Sequence, residues 1–204
     1  MMSDLWHHLF TKNVVCSRPL WLQKEETMEK MKKILSLDAE TNGLWGQAFS
    51  IVGIVYDENG KEIDRFIGRC PIEEEVNPWV QENVLPQMVQ ITENYVSYRD
   101  LLQAFFAWRA PYKESEIPEL VHMGCPVEAR LYIDAHSMGI IGDWDGPYPL
   151  LDVAAIPEIG DSVDGYNAAH GTSPDPKNFA GGTHNPLYDS AAVYAAYHHW
   201  FVNR

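Results

Sequence analysis

The run Ile34-Leu35-Ser36-Leu37-Asp38-Ala39-Glu40-Thr41-Asn42-Gly43-Leu44 decides how this chain is read. Ile34 to Leu37 open a β-strand, and the acids at 38 and 40 follow at its end. Side chains alternate across a strand, so Asp38 and Glu40 share one face. Two carboxylates held side by side repel unless a cation lies between them. Their hard oxygens suit Mg²⁺ or Mn²⁺. An Asp-x-Glu pair alone is more often a solvated strand end, and here the continuation adds weight. Gly43 permits a tight turn with backbone close to a ligand. Leu44 and Trp45 place an apolar edge beside the acids, where a terminal base can lean.

Outward from this strand, Ser50 to Tyr56 is apolar and β-branched and reads as a second strand. Asp57-Glu58-Asn59-Gly60 is a turn. Glu62 to Arg69 alternates and returns as a third strand, which completes a meander. Asn77 to Leu85 reads as a short helix stopped by Pro86. Tyr98 to Arg109 carries Leu101, Leu102, Phe105, Phe106 and Trp108 at helical spacing and should end before Pro111. Glu119 to Met123 reads as a short buried strand, Pro126 to His136 as a helix and Tyr148 to Ala154 as another strand. Pro157 to Thr183 is rich in Gly, Asp, Asn and Pro and reads mostly as loop. A flap that delivers His184 and an inert surface excursion are equal readings of it. Pro186 to Phe201 is a final Ala- and Tyr-rich helix. Strands first, then strands alternating with helices, indicate an α/β fold with a mixed sheet and helices packed on it.

The chain has 204 residues, 46% of them apolar, enough for one globular core. Residues 1–29 stand apart as an N-terminal arm without periodicity. Lys24-Glu25-Glu26 has purine-rich codons that can spell a ribosome-binding site, which makes Met28 or Met31 a candidate translation start; a genuine flexible arm is the equal alternative. No apolar run spans a bilayer, and the first residues lack a signal-peptide pattern. Cys16, Cys70 and Cys125 are scattered and odd in number, which fits reduced thiols in a cytoplasmic protein. The formal charge is -14, from 29 acids and 15 bases. That excludes a large basic face for gripping long duplex and favours a small footprint on one strand end or a short oligonucleotide.

His184-Asn185-Pro186-Leu187-Tyr188-Asp189 is the second element of chemistry. Asn185 can cap the last helix and Pro186 suits its first position. Asp189 then ends the first turn, with His184 just outside, and the pair can face one cavity. Glu128, in the first turn of the helix after the Glu119 to Met123 strand, is by itself an ordinary favourable acid at a helix start.

Taken together these motifs resemble the DEDDh family of 3′–5′ exonucleases, from about Ile34 to Phe201. The first motif differs from the family's Asp-x-Glu-Thr-Thr-Gly-Leu mainly at Asn42, and His184 to Asp189 matches the last. The middle motif departs: Glu128 stands where the family has Asp, with Asp134 a rival that should face elsewhere. The resemblance implies a ribonuclease H-like fold with a five-stranded sheet, an antiparallel meander followed by parallel strands. It also implies two divalent cations, Mg²⁺ or Mn²⁺. Asp38 would bridge them, Glu40 and Asp189 would complete one site, and Glu128 would act on the second ion. His184 would be the general base, and Thr41 to Leu44, with Trp45, would hold the 3′-terminal nucleotide. Single-stranded RNA or DNA would be trimmed to nucleoside 5′-monophosphates, and the family's homodimers extend to this chain as an expectation. A non-catalytic module that binds nucleic-acid ends or a protein partner is the alternative, supported by Glu128.

Other residues read as structural. Trp79 and Trp108 are expected in the core, Cys125 as a buried thiol and Asp152 as a structural acid. His170 is expected on an exposed loop, and His198 and His199 should point in different directions.

Overall fold

A computed structural model describes residues 33–204. The reading of residues 1–29 lies outside them. The chain alternates strands and helices in the order β1 (Lys33–Thr41), β2 (Ala48–Asp57), β3 (Glu62–Arg69), α1 (Pro78–Asn83), α2 (Tyr98–Glu114), β4 (Glu119–Val121), α3 (Val127–Ser137), β5 (Leu150–Asp152), α4 (Val163–His170) and α5 (Pro186–Asn203).

The five strands form one mixed sheet in the order β3-β2-β1-β4-β5. The β1–β2 and β2–β3 pairs are antiparallel, as expected of a meander. The β1–β4 and β4–β5 pairs are parallel, with Leu35 opposite Glu119 and Val121 opposite Asp152. This is the α/β sheet that the resemblance implied.

Strand period sets the two faces. Leu35 lies on the face covered by α2, where it clusters with Val55, Ile117, Trp108 and Tyr112. A Cβ at Gly53 would stand 2.8 Å from the Trp108 ring, so the glycine makes room for the tryptophan. Ser36, Asp38 and Glu40 occupy the opposite face. There Ser36 Oγ donates to the Ser190 carbonyl of α5 at 2.7 Å, and Ser190 Oγ donates to the Val52 carbonyl at 3.2 Å. Ser190 and the alanines that follow it in α5 let that helix approach β1 and β2 closely. Burying Ser36 and Ser190 is tolerable because each hydroxyl has a partner.

Four local expectations need correction. Helix α2 does not stop before Pro111 but runs through it to Glu114. Trp108 Nε1 donates to Asp64 Oδ2 at 2.9 Å and the Tyr112 hydroxyl bonds the same oxygen, so tertiary contacts on both sides of the proline outweigh its lost N–H. The segment after Pro157 is not mostly loop, because it contains α4, capped by Ser162 and ended by Gly171 at φ 67°. Pro86 does not simply stop a helix; it sits in the first turn of a 3₁₀ segment, Leu85–Gln90. The strand at Glu119 ends at Val121, short of Met123, whose φ is 54°. No helix among the described residues is long and apolar enough to cross a membrane.

Candidate active site

Asp38 and Glu40 reach the site from the end of β1, on the face that α5 covers. Asp189 reaches it from the first turn of α5. Asn185 caps that helix by accepting from the Leu187 N–H at 3.1 Å, and Pro186 follows at the first helical position. Immediately before the cap, His184 has φ 68°, a left-handed conformation that few non-glycine residues adopt. Its backbone N–H donates to Asp189 Oδ2 at 2.8 Å. The cap therefore does more than start a helix: it folds His184 and Asp189 against each other.

Asp38, Glu40 and Asp189 each present an oxygen, and these lie within 4.8 Å of one another. His184 Nδ1 stands 3.8 Å from Glu40 Oε1. That is an ion-pair distance, longer than a hydrogen bond, yet the facing carboxylate still raises the imidazole pKa above its ordinary value, against burial. Burial, then repulsion from Asp189, Glu128 and Glu40, holds Asp38 well above the carboxylate range. Burial and the Glu40 charge push Asp189 up to about 8, against the N–H bond from His184. Burial also raises Glu40, and His184 restrains it. Acids driven towards protonation by burial and by one another are relieved by a divalent cation, and an all-oxygen donor set is what Mg²⁺ and Mn²⁺ take.

The cavity over these groups has a volume of about 560 Å³. Leu44, Met123, Cys125, Asp161 and Asp164 contribute to its wall, and among the described residues no Lys or Arg lines it. A phosphate entering it meets carboxylates on several sides, so cations are also what would make an anionic substrate tolerable there.

No protein-family profile matches this chain. No curated protein matches it either. Among solved structures it is similar to E. coli Exonuclease I in complex with a dA16 oligonucleotide, at 13% identity and a TM-score of 0.46. The match covers 80% of this chain and 39% of that one, so this chain spans about two fifths of its neighbour's length.

Glu128 is adjacent to the trio but differently engaged. It is buried in the first turn of α3, and its Oε1 accepts the Ala39 N–H at 3.0 Å. Past Val121 the β4 ladder stops, and this carboxylate takes the place of a strand partner for β1. The bond from the Ala39 N–H opposes the burial that pushes Glu128 up to about 8. Glu128 lies outside the 4.8 Å trio and bears on it through charge. Asp134 faces elsewhere: its Oδ2 accepts from the Tyr98 hydroxyl at 2.9 Å and pairs with Arg130 at 3.3 Å.

The turn after β1 is locked from below. Thr41 and Asn42 are buried. Asn42 Nδ2 donates to Glu74 Oε1 at 3.0 Å and to the Glu75 carbonyl at 2.8 Å, while its oxygen accepts the Asn77 N–H at 2.8 Å. The residue that distinguishes this motif thus clamps the turn to the segment before α1. Gly43, at φ 77°, is also required by a close approach, because a Cβ there would stand 2.8 Å from Asn77 Nδ2. Leu44 and Trp45 are exposed, at 59% and 69%, as an apolar edge requires.

Two expectations about nearby side chains fail. Trp79 is not core but 54% exposed, and its ring meets His184 edge-on at 5.3 Å between centroids and 89° between planes. Helix α1 has six residues, too few for periodicity to reveal its buried face, which belongs to Val80. Cys125 is exposed, not buried, at the cavity wall. Trp108, expected in the core, is half-buried and packs against the cluster of Leu35, Val55 and Ile117. Asp152 is structural, accepting the N–H groups of Met123 and Gly124 at 3.0 Å each. His170 ends α4 instead of riding a loop, its ring packed on Tyr166 and His199. His198 stacks on Tyr194 while His199 Nδ1 meets the Tyr166 hydroxyl, so these two do point apart. Asp164, absent from the sequence reading, lies beside Asp189 and bonds its neighbours.

Proposed function

We propose that this chain is a metal-dependent 3′–5′ exonuclease of the DEDDh type, which releases nucleoside 5′-monophosphates from the 3′ end of single-stranded RNA or DNA. The observation that carries the proposal is the convergence of Asp38, Glu40 and Asp189 within 4.8 Å, with His184 at their edge. Asp38, Glu40 and Asp189 are the residues that would hold Mg²⁺ or Mn²⁺, with Glu128 beside them. Two such ions supply charge neutralisation and Lewis-acid polarisation at a phosphodiester.

The chain's own groups then have distinct tasks. His184 Nδ1, the ring nitrogen that faces the carboxylates, takes the proton of the attacking water. The water oxygen bonds to phosphorus as the 3′-oxygen of the preceding nucleotide leaves in line and takes a proton from solvent water. The exposed edge of Leu44 and Trp45, and the Trp79 ring beside His184, offer apolar surfaces on which the terminal base can lean. The net acidity of the chain favours RNA or short oligonucleotides over long duplex DNA.

The alternative reading is a non-catalytic module for nucleic-acid ends or a protein partner. The observation that favours it is Glu128, which stands where the family has Asp and whose carboxylate accepts the Ala39 N–H at 3.0 Å. Matched 3′-labelled single strands of RNA and DNA, with Mn²⁺ or Mg²⁺ and with EDTA, separate the two. Metal-dependent release of mononucleotides that His184→Ala abolishes supports the enzyme. Binding without release, unchanged in His184→Ala, supports the module.

A further inference from the structure

On the exonuclease reading, we propose that Asp164 is a positioning residue for the site: its carboxylate tethers to α4 the residues directly preceding His184 and Asp189. Asp164 Oδ2 accepts from Thr183 Oγ1 at 3.0 Å, and Asp164 Oδ1 accepts from the Tyr188 hydroxyl at 2.8 Å. Thr183 is the residue before His184, and Tyr188 is the residue before Asp189. One acid therefore grips both ends of the segment that presents the general base and the third carboxylate.

A tether is useful only if its anchor is rigid. One turn beyond Asp164, Asn167 is fully buried and donates to the Ala192 carbonyl of α5 at 2.9 Å. Its oxygen accepts from Thr172 Oγ1 at 2.8 Å, and the neighbouring Tyr166 hydroxyl meets His199 Nδ1 at 2.9 Å. Helix α4 is thus fastened to α5 through the buried Asn167 and the contact of Tyr166 with His199.

The segment it holds needs help. Upstream of Thr183 stand Gly181 and Gly182, at φ 98° and 81°, and glycines impose no stiffness on a connection. His184 itself sits at φ 68°, a conformation with an intrinsic cost for a residue bearing a Cβ. Such conformations persist where surrounding contacts over-determine them. The N–H bond from His184 to Asp189 fixes these two residues relative to each other, and Asp164 fixes the pair relative to the molecule. The segment after Pro157, which as a loop would be a flap, thereby becomes a brace.

The test uses the full chain carrying Asp164→Ala, Asp164→Asn, or Thr183→Val with Tyr188→Phe, the last removing both donors while keeping the acid. Amide hydrogen exchange over residues 183–189 and steady-state kinetics with Mn²⁺ on a 3′-labelled strand are read together. Asp164→Ala should speed exchange in that peptide and lower kcat on the order of 100-fold, with KM and Tm little changed. The paired donor variant should match it, and Asp164→Asn, which keeps one acceptor, should fall between. Wild-type exchange in Asp164→Ala overturns the tether. Faster exchange with unchanged kcat overturns its positioning role, as does a loss confined to KM. A wild type without metal-dependent release refutes the exonuclease reading and with it the catalytic purpose. The exchange measurement alone then decides the tether, faster exchange upholding it.

Discussion

Removing divalent cations should make the protein lose stability as pH rises, the reverse of the usual behaviour of surface carboxylates. Asp189 is pushed from an ordinary 3.8 up to about 8, and Glu128 from 4.5 up to about 8, with burial the largest cause in each. Asp38 and Glu40 move in the same direction. A carboxyl whose folded pKa lies above its unfolded value holds a proton in the native state that the unfolded chain has already released. Stability therefore falls as pH rises from the unfolded towards the folded value. The window set by these groups runs from about 4 to about 8. His184, raised by Glu40, adds a loss of the same sign: its stabilisation is complete below its ordinary 6.5 and is lost as pH rises from there through its raised folded value. His198, lowered by burial, opposes the trend, but only below about 6.5, where the unfolded histidine is charged. The fall is therefore clearest between about 6.5 and 8.

At about 1.4 kcal/mol per pKa unit, one such carboxyl represents on the order of 5 kcal/mol across its full window. The four share their repulsions, so their effects do not add. A cost of order 5 kcal/mol in all is a large part of a domain's stability and corresponds to a Tm fall of roughly 10–20 °C. The assay is thermal denaturation from pH 5 to 8 in EDTA, repeated with Mn²⁺. Tm in EDTA should fall steeply with pH, and Mn²⁺ should restore it at pH 8 while adding little at pH 5. Asp189→Asn should flatten the EDTA profile. A Tm in EDTA that stays level or rises towards pH 8 refutes the reasoning, because the acids would then not be a destabilised cluster awaiting a cation.

Three further outcomes are expected. Asp38→Asn should abolish Mn²⁺-induced stabilisation and metal-dependent turnover together, by calorimetry and by mononucleotide release, whereas His184→Ala should keep the stabilisation and lose about 10²–10⁴ in kcat. Trp79→Ala should leave Tm near the wild-type value, since the ring is 54% exposed, and raise KM for a 3′ end by the equivalent of about 1–3 kcal/mol of base stacking. Ser36→Ala should cost about 1–3 kcal/mol in urea denaturation, because the Ser190 carbonyl that accepts its hydroxyl at 2.7 Å is left without that partner; a neutral result would mean α5 does not depend on this bond to seat itself on β1.

Much of the fold and part of the site were legible in the chain because their causes are local. The alternation in β1 places Asp38 and Glu40 on one face whatever packs above them. Asn185 and Pro186 announce the start of α5, and the spacing from the cap puts Asp189 one turn inside it. The turn at Asp57 to Gly60 closes the β2–β3 hairpin by short-range chemistry. Helix α4 was hidden because its eight residues sit among turn formers, and what stabilises it is Asn167 reaching Ala192.

What only the tertiary structure decided are the partners of residues far apart in sequence. Glu128 is an unremarkable acid at a helix start until the end of the β4 ladder leaves the Ala39 N–H for it to accept, 89 positions away. Residue type alone places Trp79 and Cys125 in the interior, yet which side of a short helix or loop faces solvent depends on what closes over it. Pro111 should end a helix by its own geometry, and Asp64, from another strand, holds the helix together around it. Periodicity and capping act over one or two turns and can be read from neighbours. Burial, charge coupling and long-range hydrogen bonds exist only once the sheet has brought β1, α3 and α5 together, and the environment of Asp38, Glu40 and Asp189 is made of these.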